Sequence, residues 1–177
     1  MDGLPEIQSL HERHPGVTES VSRSYAEAAS VCLSMHHTPP TEFIVHNGKS
    51  YSENVLTWSI PGDRIRRSWN NIDDATRDGA YGISLAAIES SLGFYAISRA
   101  ETGSGADYYV GPEYGLDKLE ASYRLEIAGS NRGNAATIRR RLLGKVKQLR
   151  DGNLKLPGLA SVVGFLQRQV EIELVGT

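Results

Sequence analysis

Apolar residues recur at helical spacing in three parts of the chain, and these parts predict three helices. The first helix begins after Thr18, a typical capping residue, and runs through about His36. The second begins at Asp73, where acidic residues suit the helix dipole, and ends at Gly93. The third lies within residues 134–152, and its buried stripe consists of Ile138, Leu142, Val146 and Leu149.

Alternating and continuous apolar runs predict strands between and after these helices. Residues 42–58 form a hairpin, because Asn47-Gly48 suits the positive dihedrals of a tight turn. In the third strand after the second helix, Tyr123, Leu125 and Ile127 share one face, while Arg124 and Glu126 share the other. The strands expected after residue 92 are 93–100, 106–111, 120–129, a continuous apolar run at 159–167 and an alternating run at 169–175.

The order from residue 73 is therefore helix, three strands, helix, strand, strand. This order predicts an α/β (α+β) fold with a mixed central sheet flanked by helices. Residues 1–16, with two prolines and mixed charge, are expected to be a flexible N-terminus. Residues 17–177 are expected to form a single domain, in which 17–62 are a helix–hairpin extension and 73–175 are the core.

Bulk composition narrows the class of protein but does not identify an activity. The chain has 177 residues, of which 40% are hydrophobic and 23% are charged, as in ordinary globular proteins. A net charge of −2 means that any contact with nucleic acid needs a local basic patch. A single cysteine excludes an internal disulfide, and no run approaches the ~20 apolar residues of a membrane span. These features predict a cytoplasmic protein that does not enter a membrane.

The candidate chemistry lies on two neighbouring strands. Asp107 opens one strand, Glu126 lies within the next, and residues opposite each other in paired strands have Cβ atoms ~5 Å apart. Two such carboxylates repel unless a divalent cation lies between them, and that cation can activate a water for phosphodiester hydrolysis. Arg124 shares the strand face of Glu126 and is expected to contact a phosphate. Glu89, near the end of the preceding helix, is the candidate third carboxylate.

Asp107 and Glu126 also have simple structural interpretations. An aspartate at a strand start after glycines commonly caps a turn, as Asp107 would. A glutamate beside an arginine on an exposed sheet face commonly forms a surface ion pair, as Glu126 would. The segment TGSGAD at 102–107 resembles a phosphate-binding loop, but it lacks the Lys-Ser/Thr ending and leads into a strand.

The third helix carries many basic residues beside its buried stripe. Such a density of positive charge can follow a nucleic-acid backbone, although a charge run is commonly just the solvated face of a helix. The residues expected to contact nucleic acid are Arg132, Arg139, Arg140 and Lys147.

The order of elements and the two acids resemble the PD-(D/E)xK, or restriction-endonuclease-like, superfamily over residues 73–175. The stretches RAETGSGADYY and RLEIAG are also similar to uncharacterised bacterial proteins. The resemblance implies that Asp107 and Glu126 bind Mg²⁺ and that the protein cleaves DNA. Restriction of phage or other foreign DNA is the biological role that it implies.

The resemblance is incomplete at the lysine that supports the attacking water. Ala128 stands where this lysine is expected, two residues after the glutamate, and Ala106 replaces the proline before the aspartate. Arg124, Lys118 or Lys145 could take the place of the lysine. The alternative is a catalytically inactive, nuclease-like scaffold subunit of a multi-protein assembly. The expected partners are accordingly DNA, other proteins of a defence system, or further copies of the chain.

Overall fold

The computed structural model describes residues 2–112, 122–152 and 155–176. Within these residues, eight strands form one sheet in the spatial order β1-β3-β2-β8-β7-β6-β5-β4. The sheet is mixed, because β6 runs parallel to β7 and β2 runs parallel to β8. The strands are β1 Asp2–Gly3, β2 Thr41–Asn47, β3 Ser50–Leu56, β4 Phe94–Arg99, β5 Tyr108–Pro112, β6 Tyr123–Ser130, β7 Gly158–Gly164 and β8 Gln169–Val175.

Helices cover both faces of this sheet. The described helices are a 3₁₀ helix at Ile7–Glu12, α1 Glu19–Ser34, α2 Asp63–Ser68, α3 Ile72–Leu92 and α4 Ala135–Asp151. α3 packs on one face and carries α1 on its outer side, whereas α4 packs on the other face over β6, β7 and β8. The predicted α/β class and the predicted order of elements from residue 73 are confirmed. None of the described helices is both long and apolar enough to cross a membrane.

Periodicity located these elements because each has a distinct buried face. Thr18 Oγ1 accepts from the Val21 amide at 3.4 Å and caps α1, and Gly93 ends α3 in the left-handed region at φ 63°. The stripe predicted for α4 forms a small core with Ala160, Val162 and Val175. Every residue of β7 is buried, which confirms the predicted central strand.

The small residues of α3 allow close approach on both of its sides. A Cβ atom on Gly79 would lie 2.9 Å from the Ala29 Cα atom of α1. On the sheet side, a Cβ atom on Gly129 of β6 would lie 2.6 Å from the Thr76 carbonyl oxygen. Glycine is therefore required at both contacts, and α3 lies close to the sheet as predicted.

The N-terminal segment is packed, so the prediction that residues 1–16 are flexible is wrong. Leu4, Ile7 and Leu10 are buried, and their spacing of three residues matches the period of a 3₁₀ helix. His14 is fully buried; its Nδ1 accepts from the Ala96 amide at 2.9 Å, and its Nε2 lies 2.9 Å from Glu89 Oε2. The segment thereby covers the outer edge of β4.

The hairpin is part of the sheet and is not an appended extension. β2 pairs in parallel with β8 over four residues, beginning at Ile44 and Gln169. Phe43 and Val45 of the hairpin lie in the same core cluster as residues of β6 and β7. Residues 17–62 therefore belong to the one domain predicted for the chain, and the described sheet is continuous from β3 to β4.

We expect His14→Ala to lower the free energy of unfolding by about 2–3 kcal/mol, because it leaves the buried Ala96 amide without an acceptor and Glu89 Oε2 without its partner. Urea denaturation measures this change. Glu12→Ala is the matched control, since Glu12 lies in the same segment and is exposed, and it should shift stability by less than about 0.5 kcal/mol. Equal effects of the two substitutions would show that the His14 contacts do not anchor the segment.

Candidate functional site

The candidate site lies where β5 and β6 separate. Among the described residues the two strands pair at three positions, Tyr108 with Leu125, Tyr109 with Arg124 and Val110 with Tyr123. One residue further in this register, Asp107 comes opposite Glu126. Beyond this point the described part of β6 has no strand on its β5 side.

The side chain of Asp107 accepts a backbone hydrogen bond from β6 where the pairing of β5 with β6 ends. Its Oδ2 accepts from the Ile127 amide at 2.7 Å, and its Oδ1 accepts from the Tyr81 hydroxyl at 2.8 Å. Burial raises the pKa of Tyr81 to about 12, and the charge of Asp107 acts in the same direction. Asp107 therefore ties β6 to α3, and this is a structural role of the capping kind expected for it.

Glu126 is buried beneath α4 and is held by two side chains of that helix. Lys145 Nζ lies 2.5 Å from Glu126 Oε2, and Gln148 Nε2 donates to Oε1 at 2.8 Å. Burial raises the pKa of Glu126, the hydrogen bond from Lys145 opposes this rise, and the charge of Asp107 adds to it. The ion pair is therefore internal and is not the exposed surface pair that the alternative interpretation predicted.

The structure brings Asp107 and Glu126 to neighbouring positions, but their carboxylates turn towards different helices. Asp107 reaches α3 through Tyr81, whereas Glu126 points to α4. The two charges are nevertheless close enough for Asp107 to raise the pKa of Glu126. In the described chain no group of three or more His, Cys, Asp or Glu residues is placed to hold a metal.

Of the two predicted substitutes for the motif lysine that the structure describes, Lys145 is the one whose side chain contacts Glu126. Ala128 occupies the motif position on β6, and it packs beside the α4 core. Lys118, a second predicted substitute, lies outside the described residues. Lys145 and Gln148 lie three residues apart, so both project from the same flank of α4.

Arg124, the third predicted substitute and the predicted phosphate contact, is buried and hydrogen-bonded to backbone carbonyls. It shares the face of Glu126 as predicted, but it is only 4% exposed. Its Nη2 donates to the Leu149 carbonyl at 2.8 Å, and its Nε donates to the Leu156 carbonyl at 3.2 Å. A cation that donates to the last turn of a helix interacts favourably with its dipole, so Arg124 stabilises the end of α4.

Glu89 does not join the two acids, which corrects the prediction of a third carboxylate. Arg13 Nε donates to Glu89 Oε1 at 2.7 Å, and His14 contacts its other oxygen. Burial raises the pKa of Glu89, but the hydrogen bonds from His14 and Arg13 outweigh burial and lower it. Tyr81 is the α3 residue that contacts Asp107, and eight residues of helix separate it from Glu89 by about 12 Å.

An open cavity of about 770 Å³ lies along the free edge of β6, between the first turns of α3 and the flank of α4. Its wall includes Ile127, which bonds Asp107, and Lys145, which bonds Glu126. Arg132 and Arg141 also line it, and neither forms an ion pair with another described residue. The cavity is therefore basic and is lined by residues that bond the two acids, although neither acid lines it.

The four residues predicted to bind nucleic acid occupy two different places. Arg132 lines the cavity, at the turn between β6 and α4. Arg139, Arg140 and Lys147 are exposed on α4 but do not line the cavity. The exposed charge run predicted for this helix is thus present, but most of it points away from the two acids.

Two contributions to the site had no signal in the sequence. Tyr81 follows the small residues of α3, and only the tertiary structure brings its hydroxyl to Asp107. Arg99 lies over the rings of Tyr81 and Tyr108, at 4.8 Å and 4.7 Å from their centroids, and supports the tyrosine. No protein-family model matches the chain, and no curated protein or solved structure is significantly similar to it.

We expect Lys145→Met to lower the free energy of unfolding at pH 7 by about 3 kcal/mol, because it leaves a buried carboxylate without its cation. The pKa of Glu126 in the folded protein already lies above its ordinary value of 4.5 and should rise further in this variant. The loss should therefore be largest at neutral pH and should vanish below pH 4.5, where Glu126 is neutral in both states.

Urea denaturation across this pH range measures the effect. Lys147→Met is the matched control, because Lys147 is exposed on the same helix and has no ion pair among the described residues. Adding Glu126→Gln to Lys145→Met should restore most of the lost stability. A loss that does not depend on pH would instead indicate that Lys145 acts through packing.

Proposed function

We propose that the chain is a divergent PD-(D/E)xK-like domain and a Mg²⁺-dependent DNA endonuclease. The support is positional: a helix, three strands, a helix and a strand follow one another as α3, β4, β5, β6, α4 and β7. Asp107 directly precedes the second of these strands, and Glu126 lies in the third. The observation that carries the proposal is that Ile127 and Lys145, which bond the two acids, both line one basic cavity at the free edge of β6.

The donor atoms at this site suit a hard divalent cation. Asp107 and Glu126 offer carboxylate oxygens, which Mg²⁺ prefers, and each carboxylate keeps lone pairs beyond its present hydrogen bonds. Mg²⁺ bound there would polarise a phosphodiester and lower the pKa of a water. Tyr81 and the Ile127 amide hold Asp107 towards α3, so a Mg²⁺ shared with Glu126 would require one of the two carboxylates to turn.

Lys145 takes the role of the missing motif lysine in this proposal. It reaches Glu126 from α4, whereas the motif lysine would reach the site from β6. Its ammonium group lines the cavity and can therefore hold a water or a phosphate oxygen beside the glutamate. Arg132 and Arg141 would attract the DNA backbone to the same opening, and restriction of foreign DNA is the proposed role.

A specific observation favours the second candidate, a catalytically inactive scaffold subunit. All four carboxylate oxygens of Asp107 and Glu126 already accept hydrogen bonds from the protein. Acids whose oxygens are all hydrogen-bonded to the protein in this way can stabilise a fold without any metal. In that case the alanine at the motif lysine position, Ala128, and the ion pair of Lys145 with Glu126 would both be features of an inactive site.

Plasmid cleavage in Mg²⁺ or Mn²⁺ tests the first candidate. We expect cleavage by the purified chain and a fall of at least about a hundredfold with Asp107→Asn or Glu126→Gln. Asp151→Asn is the control, because Asp151 is exposed at the end of α4, and it should cleave like the unmodified chain. Thermal melts of each variant separate a loss of activity from a loss of folding.

The scaffold predicts a different set of results in the same samples. It predicts no cleavage, no shift in melting temperature on adding metal, and co-purification with a partner protein. Cleavage that persists in both folded acid variants would exclude the proposed site while leaving nuclease activity to another part of the chain.

Binding of a short DNA duplex, measured by fluorescence anisotropy in the Asp107→Asn background, tests the cavity itself. We expect Arg132→Glu and Arg141→Glu each to weaken binding and to reduce the slope of log K against log salt by about 1. Arg23→Glu on α1 is the control, because Arg23 is an exposed arginine paired with Glu19 outside the cavity. Unchanged affinity in both cavity variants would show that DNA does not bind at the cavity.

A further inference from the structure

The face of the sheet that carries α4 is only partly covered. α4 packs over β6, β7 and β8, and it leaves the adjoining β2 and β3 open on this side. The register places alternate residues of β2, β3 and β8 on this side, including Ile44, Glu53 and Gln169. We define the open face by its exposed and half-buried side chains, Glu42, Ile44, Tyr51, Glu53, Glu171 and Glu173.

The open face is acidic around an apolar centre. Tyr51 is 66% exposed, and Ile44 lies on the neighbouring strand. No lysine or arginine stands at any position of β2, β3 or β8 that faces this side. His46 also faces this side, and its Nε2 lies 3.9 Å from Glu171 Oε1. Such a surface suits a basic partner with an apolar residue at its centre.

α4 presents a surface of that chemistry on the flank away from the cavity. Arg139, Leu143, Lys147 and Arg150 recur at helical spacing and form what we call the outer stripe. Leu143 is 53% exposed. The three cations of the stripe form no ion pair with any described residue. The outer stripe therefore complements the open face in both charge and polarity.

We propose that the chain forms a two-fold dimer in which the outer stripe of each copy packs on the open face of the other. Both surfaces lie side by side on the same side of one sheet. When two copies are related by a two-fold axis beside this side of the sheet, both contacts form at once and the assembly is closed. The two α4 helices then form one layer between two sheets, which covers the open parts of both.

Charge favours this reciprocal dimer over dimers in which like surfaces meet. Two open faces in direct contact would place acids against acids, and two outer stripes would place cations against cations. The reciprocal contact instead pairs each stripe with an acidic face and buries Leu143 beside Tyr51. The cavity lies on the opposite flank of α4, with Arg141 and Lys145, so the dimer leaves it open.

The molar mass in solution tests the dimer, and light scattering after size exclusion measures it. We expect the full chain at low salt to show twice its 19.3 kDa mass and to dissociate as salt rises. Leu143→Asp should give a monomer. Ile60→Asp is the matched control, because Ile60 is 66% exposed in the segment between β3 and α2, where Trp58 donates to Ser34 of α1 on the other side of the sheet; it should stay dimeric.

A charge swap tests which surfaces meet. Glu53→Lys, Glu171→Lys and Glu173→Lys together reverse the open face, because they leave Glu42 as its single acid. Arg139→Glu with Lys147→Glu reverses the outer stripe. Each of these two variants should be monomeric alone, because its two surfaces then carry the same sign. An equal mixture should form a heterodimer, in which opposite signs meet at both contacts.

Three results would overturn the proposal. One is a single-chain mass for the unmodified protein across a dilution series at low salt. Another is a dimer that survives Leu143→Asp and both charge reversals. A third is a stripe reversal that lowers affinity for DNA but leaves the mass unchanged, which would assign Arg139 and Lys147 to nucleic acid.

Discussion

The arrangement of the candidate site depends on the hydrogen bond from the Ile127 amide to Asp107. A strand that loses its neighbour must satisfy its backbone groups in another way, and a side-chain carboxylate does so here. The pairing of β5 with β6 can therefore stop after three residues. β6 continues with a free edge, the cavity opens beside it, and Tyr81 anchors the same carboxylate to α3.

Glu126 adds the second constraint, since a buried carboxylate is costly unless it is paired. Lys145 and Gln148 supply that pairing, and they fix α4 against β6 in doing so. Arg124 acts similarly two residues earlier, where its guanidinium holds the end of the same helix. Two buried charged residues on one strand face thus determine how α4 lies on the sheet, whether or not the site is catalytic.

The elements with a long, regular pattern could be predicted from the sequence, and the contacts between distant segments could not. The stripe of α4 and the alternation of β6 each record one buried face, so periodicity located them. The N-terminal segment was misinterpreted because Leu4, Ile7 and Leu10 follow a period of three, and prolines beside them are typical of loops. Glu89 was assigned to the wrong neighbours because nothing in its local sequence indicates Arg13 and His14.

α4 shows why a basic helix cannot be interpreted from its charge count alone. On one flank, Lys145 is committed to Glu126, and Arg141 faces the cavity. On the other flank, Arg139 and Lys147 surround an exposed leucine and have no acidic partner within the described chain. A single exposed leucine is ordinary on a protein surface, so the proposed dimer depends on the charge complementarity between this flank and the acidic sheet face. The two flanks thus differ in chemistry: one faces the cavity at the free edge of β6, and the other is the surface that the dimer proposal places over β2 and β3 of a second copy.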